Sequence, residues 1–255
     1  MTEQVIQGLI GLGLIIFAAA LLLAFTLIKR KSLPVFRKIA ALERVRRAAG
    51  LAVEDGTRLH LSIGRGGLLT RQGAAGLAGL ALLRQLGELT STSDRPPLAT
   101  SGDPIVAALS QDTLETAYQS VGAGELYQPN NARLAGLTPY SYAAGTMPLV
   151  RGEQISTNIL IGDFGPEAAL IAEAAERENS ILVGAASDPA AQAVLFASTS
   201  EPMMGEELFA APAYAGKTVA SRASLQVQDV LRWLIILALA VSPFAALLLG
   251  LVGTP

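Results

Sequence analysis

The stretch "GTRLHLSIGRGGLLTRQG" (residues 56–73) decides the fold. Leu59, Leu61 and Ile63 alternate with Arg58, His60 and Ser62, the two-residue period of a β-strand. Three glycines, Gly64, Gly66 and Gly67, end that run, and "LTRQGAAGLAGLALLRQLGEL" (69–89) then reads as a helix. Its Gly73, Gly76 and Gly79 recur at steps of three. Glycine inside a helix costs about 1 kcal/mol each, so close packing against a neighbour is the expected compensation.

Downstream, the alternation of strand and helix repeats. "PPLATSG" (96–102), "QISTNILIG" (154–162) and "SILVGAAS" (180–187) are short apolar strands. "DPIVAALSQDTLETAYQSVG" (103–122), "PEAALIAEAAERE" (166–178) and "DPAAQAVLFA" (188–197) are helices, and "GEELFAAPAYAG" (205–216) is a shorter one. Such alternation predicts an α/β fold, a largely parallel sheet flanked by helices. Residues 123–154 read as irregular, with a strand expected near 140–150. Tyr127, Tyr140 and Tyr142 with Asn130 and Asn131 give this segment the composition of a contact or ligand loop, or of a loop packed over the sheet edge.

Further out lie two apolar runs. From Gly8 to Ile28 only Thr26 carries a polar side chain, and Trp233–Val252 carries no charge. Each is long enough to cross a hydrocarbon core of about 30 Å. With 51% hydrophobic and 16% charged residues, the chain is too apolar for an ordinary soluble domain. Cations crowd one end of each run. Lys29, Arg30, Lys31, Arg37, Lys38, Arg44, Arg46 and Arg47 follow the first, while Arg232 and Trp233 open the second and no charge follows it. The positive-inside bias then predicts an inner-membrane protein with both termini outside and the main domain cytoplasmic. The basic block follows the apolar run rather than preceding it, so a retained anchor is expected rather than a cleaved signal peptide. Pro243 should kink the second span.

The expected organisation is a transmembrane helix over 1–28, a basic juxtamembrane amphipathic helix over 29–50, a cytoplasmic α/β domain over 51–222 and a transmembrane helix over 223–255. The juxtamembrane helix would start with Ser32 as cap and Pro34 in its first turn. Its apolar face, Val35, Ile39, Leu42, Val45 and Ala49, would lie on an anionic inner leaflet. Residues 50–222 hold eighteen acidic and ten basic residues, a net −8 beneath the basic collar. That balance disfavours nucleic acid as a partner.

Chemistry is sparsely provided. There is no cysteine and one histidine, His60, so thiolate and multi-histidine metal sites are excluded within one chain. No catalytic residue, metal or cofactor is assigned. Asp103, Asp163 and Asp188 each stand just before a Pro or Gly-Pro at a strand-to-helix junction. They could gather on Mg²⁺ or a polar ligand at the strand ends. Helix capping accounts for all three more simply. Gly64, Arg65, Gly66 and Gly67 form the better anion candidate, although they match neither the P-loop nor the full dinucleotide pattern.

"DGTRLHLSIGRGG" (55–67), "LATSGDP" (98–104) and "ILIGDFGPEAALIAEAAERE" (159–178), set between two apolar runs, resemble a bacterial family of two-span membrane proteins of unknown function. The resemblance implies the layout and no activity, cofactor or site. The expected function is a membrane-anchored, non-enzymatic scaffold that self-associates or joins a larger membrane assembly. Its partners would be the bilayer, further copies or other membrane subunits. The alternative is a sensory domain binding a small ligand or nucleotide at the carboxyl ends of the strands.

Overall fold

The computed structural model describes residues 2–28, 37–215 and 219–252. In chain order these form α1 (Thr2–Ile28), α2 (Ala40–Asp55), β1 (Arg58–Gly64), α3 (Gly73–Leu89), β2 (Leu98–Ser101), α4 (Pro104–Ser120), β3 (Ala132–Leu134), α5 (Pro139–Gly152), β4 (Ile155–Asp163), α6 (Ala168–Arg177), β5 (Ile181–Ala186), α7 (Pro189–Ser198), α8 (Glu207–Ala215) and α9 (Val219–Val252). They divide into two compact units.

One unit contains α1 and α9, which pack against each other. Both are long and apolar enough to cross a membrane, over Val5–Leu27 and Arg222–Pro243. α9 continues as helix on both sides of Pro243. Lys29, Arg30, Lys31, Ser32, Pro34 and Val35 lie outside the described residues.

The other unit, Arg37–Gly216, is built on a sheet of five parallel strands in the order β3-β2-β1-β4-β5. From β1 the chain winds one way through β2 and β3, and from β4 the other way to β5. Right-handed crossovers in opposite directions place their helices on opposite faces. α3 packs with α4 and α8, and α6 packs with α5 and α7. The odd positions of β1 turn to the first layer, where Ile63 lies beside Gly79 of α3. The even positions turn to the second, where Ser62 meets Tyr142 of α5. Both sets are buried, Leu59, Leu61 and Ile63 as well as His60 and Ser62. A parallel sheet wrapped on both sides leaves no wet face, so the alternation in 58–63 separates an apolar interior from a polar interior. Gly79 is small because a Cβ there would come within 2.8 Å of the Ile161 carbonyl oxygen, the close packing that offsets its helical cost.

Two sequence expectations change here. The segment near 140–150 is helical. Thr138 accepts from the Ser141 N–H, Ser141 Oγ accepts from the Thr138 N–H at 2.9 Å, and Pro139 occupies the first turn. This reciprocal cap starts α5 despite its β-favouring Tyr, Thr and Val residues. The amphipathic helix begins at Ala40, after an extended Ile39, and belongs to the α/β unit. Its stripe of Leu42, Val45, Ala49 and Ala52 is buried, and α2 packs on β1, β4, α3 and α8 rather than offering that face to a leaflet. Periodicity showed that the helix has an apolar face but not what covers it. Arg37 pairs with Glu207, and Arg44 with Glu201 at 2.9 Å, while Lys38, Arg46 and Arg47 stay exposed.

Candidate functional site at the strand ends

In an open parallel sheet, ligands bind at the carboxyl ends of the strands where the winding reverses. Here that point lies between β1 and β4. Gly64 ends β1 with φ +80°, a left-handed conformation that glycine adopts without strain. The Arg65 N–H donates to the Asp163 carbonyl oxygen at 2.8 Å, and the Gly102 N–H donates to that of Gly64 at 2.7 Å. The turn is thereby tied to the ends of both neighbouring strands.

The turn runs between two carboxylates. A Cβ on Gly66 would stand 2.7 Å from the Asp163 Cβ, and one on Gly67 would stand 3.0 Å from Asp103 Oδ2. The space beside both glycines thus already holds acidic side chains, which oppose a bound phosphate. Arg65 Nε donates to Glu167 Oε1 at 2.8 Å, and the Gly165 N–H donates to the same oxygen at 3.0 Å. Burial pushes the Glu167 carboxyl up, but the donors at Gly165 and Arg65 outweigh it and hold the group below the usual carboxylate range.

The three aspartates occupy three separate strand-to-helix junctions and do different work. Asp103 Oδ1 accepts from the N–H groups of Ile105 and Val106, both at 2.9 Å. Asp188 Oδ1 accepts from those of Ala190 and Ala191, at 2.8 and 3.2 Å. Both are helix caps. Asp163 caps nothing; its Oδ1 accepts from Ser187 Oγ at 2.8 Å, joining the ends of β4 and β5. Among the described residues, no group of three or more Asp, Glu or His side chains is placed to hold a metal ion.

Two features were not found by sequence reasoning. The first is a buried polar cluster on the even face of β1, in which His60 lies between Asn158 and Thr100 and Tyr142 touches Ser62 and Thr100. Polar residues at alternate positions of β1 and β4, strands covered on both sides, were the available signal. The second is a set of exposed apolar side chains on the segments that follow β1, β2 and β3. Leu69 is 95% exposed, Tyr140 68%, Leu137 62% and Ile105 52%. The tyrosines grouped by sequence therefore separate. Tyr142 is core, Tyr127 packs on Tyr118 with ring centroids 6.3 Å apart, and only Tyr140 points into solvent.

The model of a family described as "Domain of unknown function (DUF6754)" matches residues 4–253. The chain belongs to the DUF6754 family. No curated protein and no solved structure matches it. The DUF6754 match takes in α1, α9 and the whole α/β unit. What the DUF6754 site can do is therefore argued from its geometry.

Proposed function

We propose that this DUF6754 chain is a two-span protein of a bacterial inner membrane with both termini outside. Its α/β unit is cytoplasmic and serves as a non-enzymatic scaffold, self-associating or joined to a larger membrane assembly. One observation carries the reading. At the carboxyl edge of the sheet the candidate ligand groups are engaged within the fold: Asp103 and Asp188 cap helices, Asp163 holds Ser187, and Arg65 holds Glu167. Offered to solvent at that edge, among polar residues such as Thr70, Arg71 and Thr138, are the large apolar side chains of Leu69, Ile105, Leu137 and Tyr140. Exposed apolar side chains gathered on one edge of a domain favour a protein contact. The cations Lys38, Arg46 and Arg47, exposed beside the α1 anchor in sequence, support the orientation.

Light scattering on the detergent-solubilised full chain tests the reading. The wild type is expected at a multiple of the 26.4 kDa chain mass, and the double variant Leu69→Lys, Tyr140→Lys at the single-chain mass with an unchanged melting temperature. A wild type that is monomeric at every concentration contradicts self-association. The winding reversal between β1 and β4 favours a second reading, a small-ligand or nucleotide sensor at Gly64–Gly67. That reading requires the same sample to melt higher with ATP, Mg²⁺ or small metabolites.

A further inference from the structure

A continuous chain of hydrogen bonds crosses the buried face of the sheet. It runs from Ser62 Oγ to Tyr142 Oη (2.5 Å), then Thr100 Oγ1 (3.1 Å), then His60 Nε2 (2.9 Å). From His60 Nδ1 it continues to Asn158 Oδ1 (2.9 Å), from Asn158 Nδ2 to Ser180 Oγ (2.7 Å), and from Ser180 Oγ to the Ala175 carbonyl oxygen (2.9 Å). The Gly64 N–H also donates to Tyr142 Oη, at 3.3 Å.

Counting protons fixes the direction of the chain. Ala175 ends it with a carbonyl, which only accepts. If every hydroxyl donates towards Ala175, Ser62 gives to Tyr142, Tyr142 to Thr100 and Thr100 to His60 Nε2. His60 Nδ1–H then gives to Asn158, Asn158 to Ser180 and Ser180 to Ala175. Every hydroxyl and the imidazole N–H then have an acceptor, and Tyr142 Oη fills its two lone pairs with Ser62 and Gly64. Run the other way, with the Tyr142 proton turned to the Thr100 carbonyl oxygen at 3.3 Å, Tyr142 Oη faces three donors, Thr100, Ser62 and Gly64, and Ala175 loses the Ser180 hydroxyl. A buried donor without a partner is costly, so the first direction holds.

We infer that His60 is held as the neutral Nδ1–H tautomer and acts as a proton-operated latch. A proton taken up at Nε2 reverses the chain from His60 to Ser62 and loosens α5, through Tyr142, from the carboxyl end of β1. The reason is again a count. Once Nε2 donates to Thr100, the Thr100 hydroxyl must turn to Tyr142 Oη. With its own proton turned to the Thr100 carbonyl oxygen at 3.3 Å, that oxygen then faces three donors, Thr100, Ser62 and Gly64, with two lone pairs. If Tyr142 instead donates to Ser62, the Ser62 proton is stranded. Either way one buried donor beside Gly64 loses its partner.

At its Nδ1 end the chain opens on a cleft. Ser180 lines a cleft of about 230 Å³ together with Arg44 and Glu176. The titratable groups around the chain are Tyr142 on α5 and those two cleft residues. Arg58 on β1 and Arg133 on β3 pair with Glu153 before β4, at 2.6 and 3.0 Å, rather than with the imidazole. Burial holds the His60 imidazole down at about 4, so the latch is closed at neutral pH.

The single histidine makes the test direct. In the full chain in lipid nanodiscs with ¹⁵N-labelled imidazole, Nδ1 is expected protonated and Nε2 bare at pH 7. On acidification, hydrogen exchange corrected for intrinsic rates should show α5 and Gly64 losing protection as His60 titrates. Ser62→Ala removes the donor that would be stranded and should move that midpoint up by about one pH unit. His60→Gln should abolish the step. A proton on Nε2 at pH 7, or α5 protection lost at the same pH in wild type and Ser62→Ala, overturns the inference.

Discussion

Replacing Gly64 with alanine is expected to destabilise the α/β unit by at least about 3 kcal/mol, adding a left-handed backbone strain to an overpacking cost. The added Cβ would stand 2.0 Å from the Asp163 carbonyl oxygen and 2.7 Å from its carbonyl carbon. Both are backbone atoms of β4, and Gly64 pairs with Asp163 in the ladder, so no side chain can turn aside to make room. β1 and β4 are interior strands, and moving one against the other disturbs both helix layers. The control is Gly50→Ala in α2, where a Cβ meets nothing within 4 Å. That change should stabilise by about 0.5–1 kcal/mol, because alanine is the better helix former. Denaturant melts of the two variants side by side measure both. A Gly64→Ala protein that melts with the wild type would mean that β1 and β4 do not meet as described.

Acid should cost this fold about 3 kcal/mol through His60 alone between pH 6.5 and 4. Burial holds the folded imidazole at about 4, against an ordinary value of 6.5. Above pH 6.5 neither the folded nor the unfolded form carries the proton, and the histidine makes no difference. Between 6.5 and 4 the unfolded chain takes it up and the folded chain does not, so stability falls as pH falls. Below about 4 both are protonated and the loss levels off. Carboxylates titrate in the same window, so the readout is a difference. The wild type should lose about 3 kcal/mol more than His60→Gln between pH 7 and pH 4. Parallel curves for the two proteins would place His60 in contact with water.

Much of this fold was legible in the sequence because its signals are local. The alternation in 58–63, the Asp-Pro starts of α4 and α7, and the apolar runs of β4 and β5 depend only on neighbours along the chain. What escaped depends on partners far away. The α5 segment carries strand-forming residues, and its helix follows from a cap between Thr138 and Ser141 that competes with those propensities. The stripe on α2 is the same whether it meets lipid or protein, and only the fold places β1, β4, α3 and α8 over it. His60 reads as a lone strand histidine until Asn158, 98 residues on, and Thr100, 40 residues on, arrive at its two nitrogens. At the strand ends, the capping roles of Asp103 and Asp188 followed from spacing, whereas the tie from Asp163 to Ser187 needed β4 and β5 side by side.

The orientation across the bilayer underlies the functional reading, and one labelling experiment tests it directly. The chain has no cysteine, so Ser120→Cys at the exposed end of α4 gives a single reactive thiol. In intact cells expressing this variant, a maleimide that cannot cross membranes should leave position 120 unmodified and react fully once the cells are permeabilised. Complete labelling in intact cells would put the α/β unit outside and contradict the account.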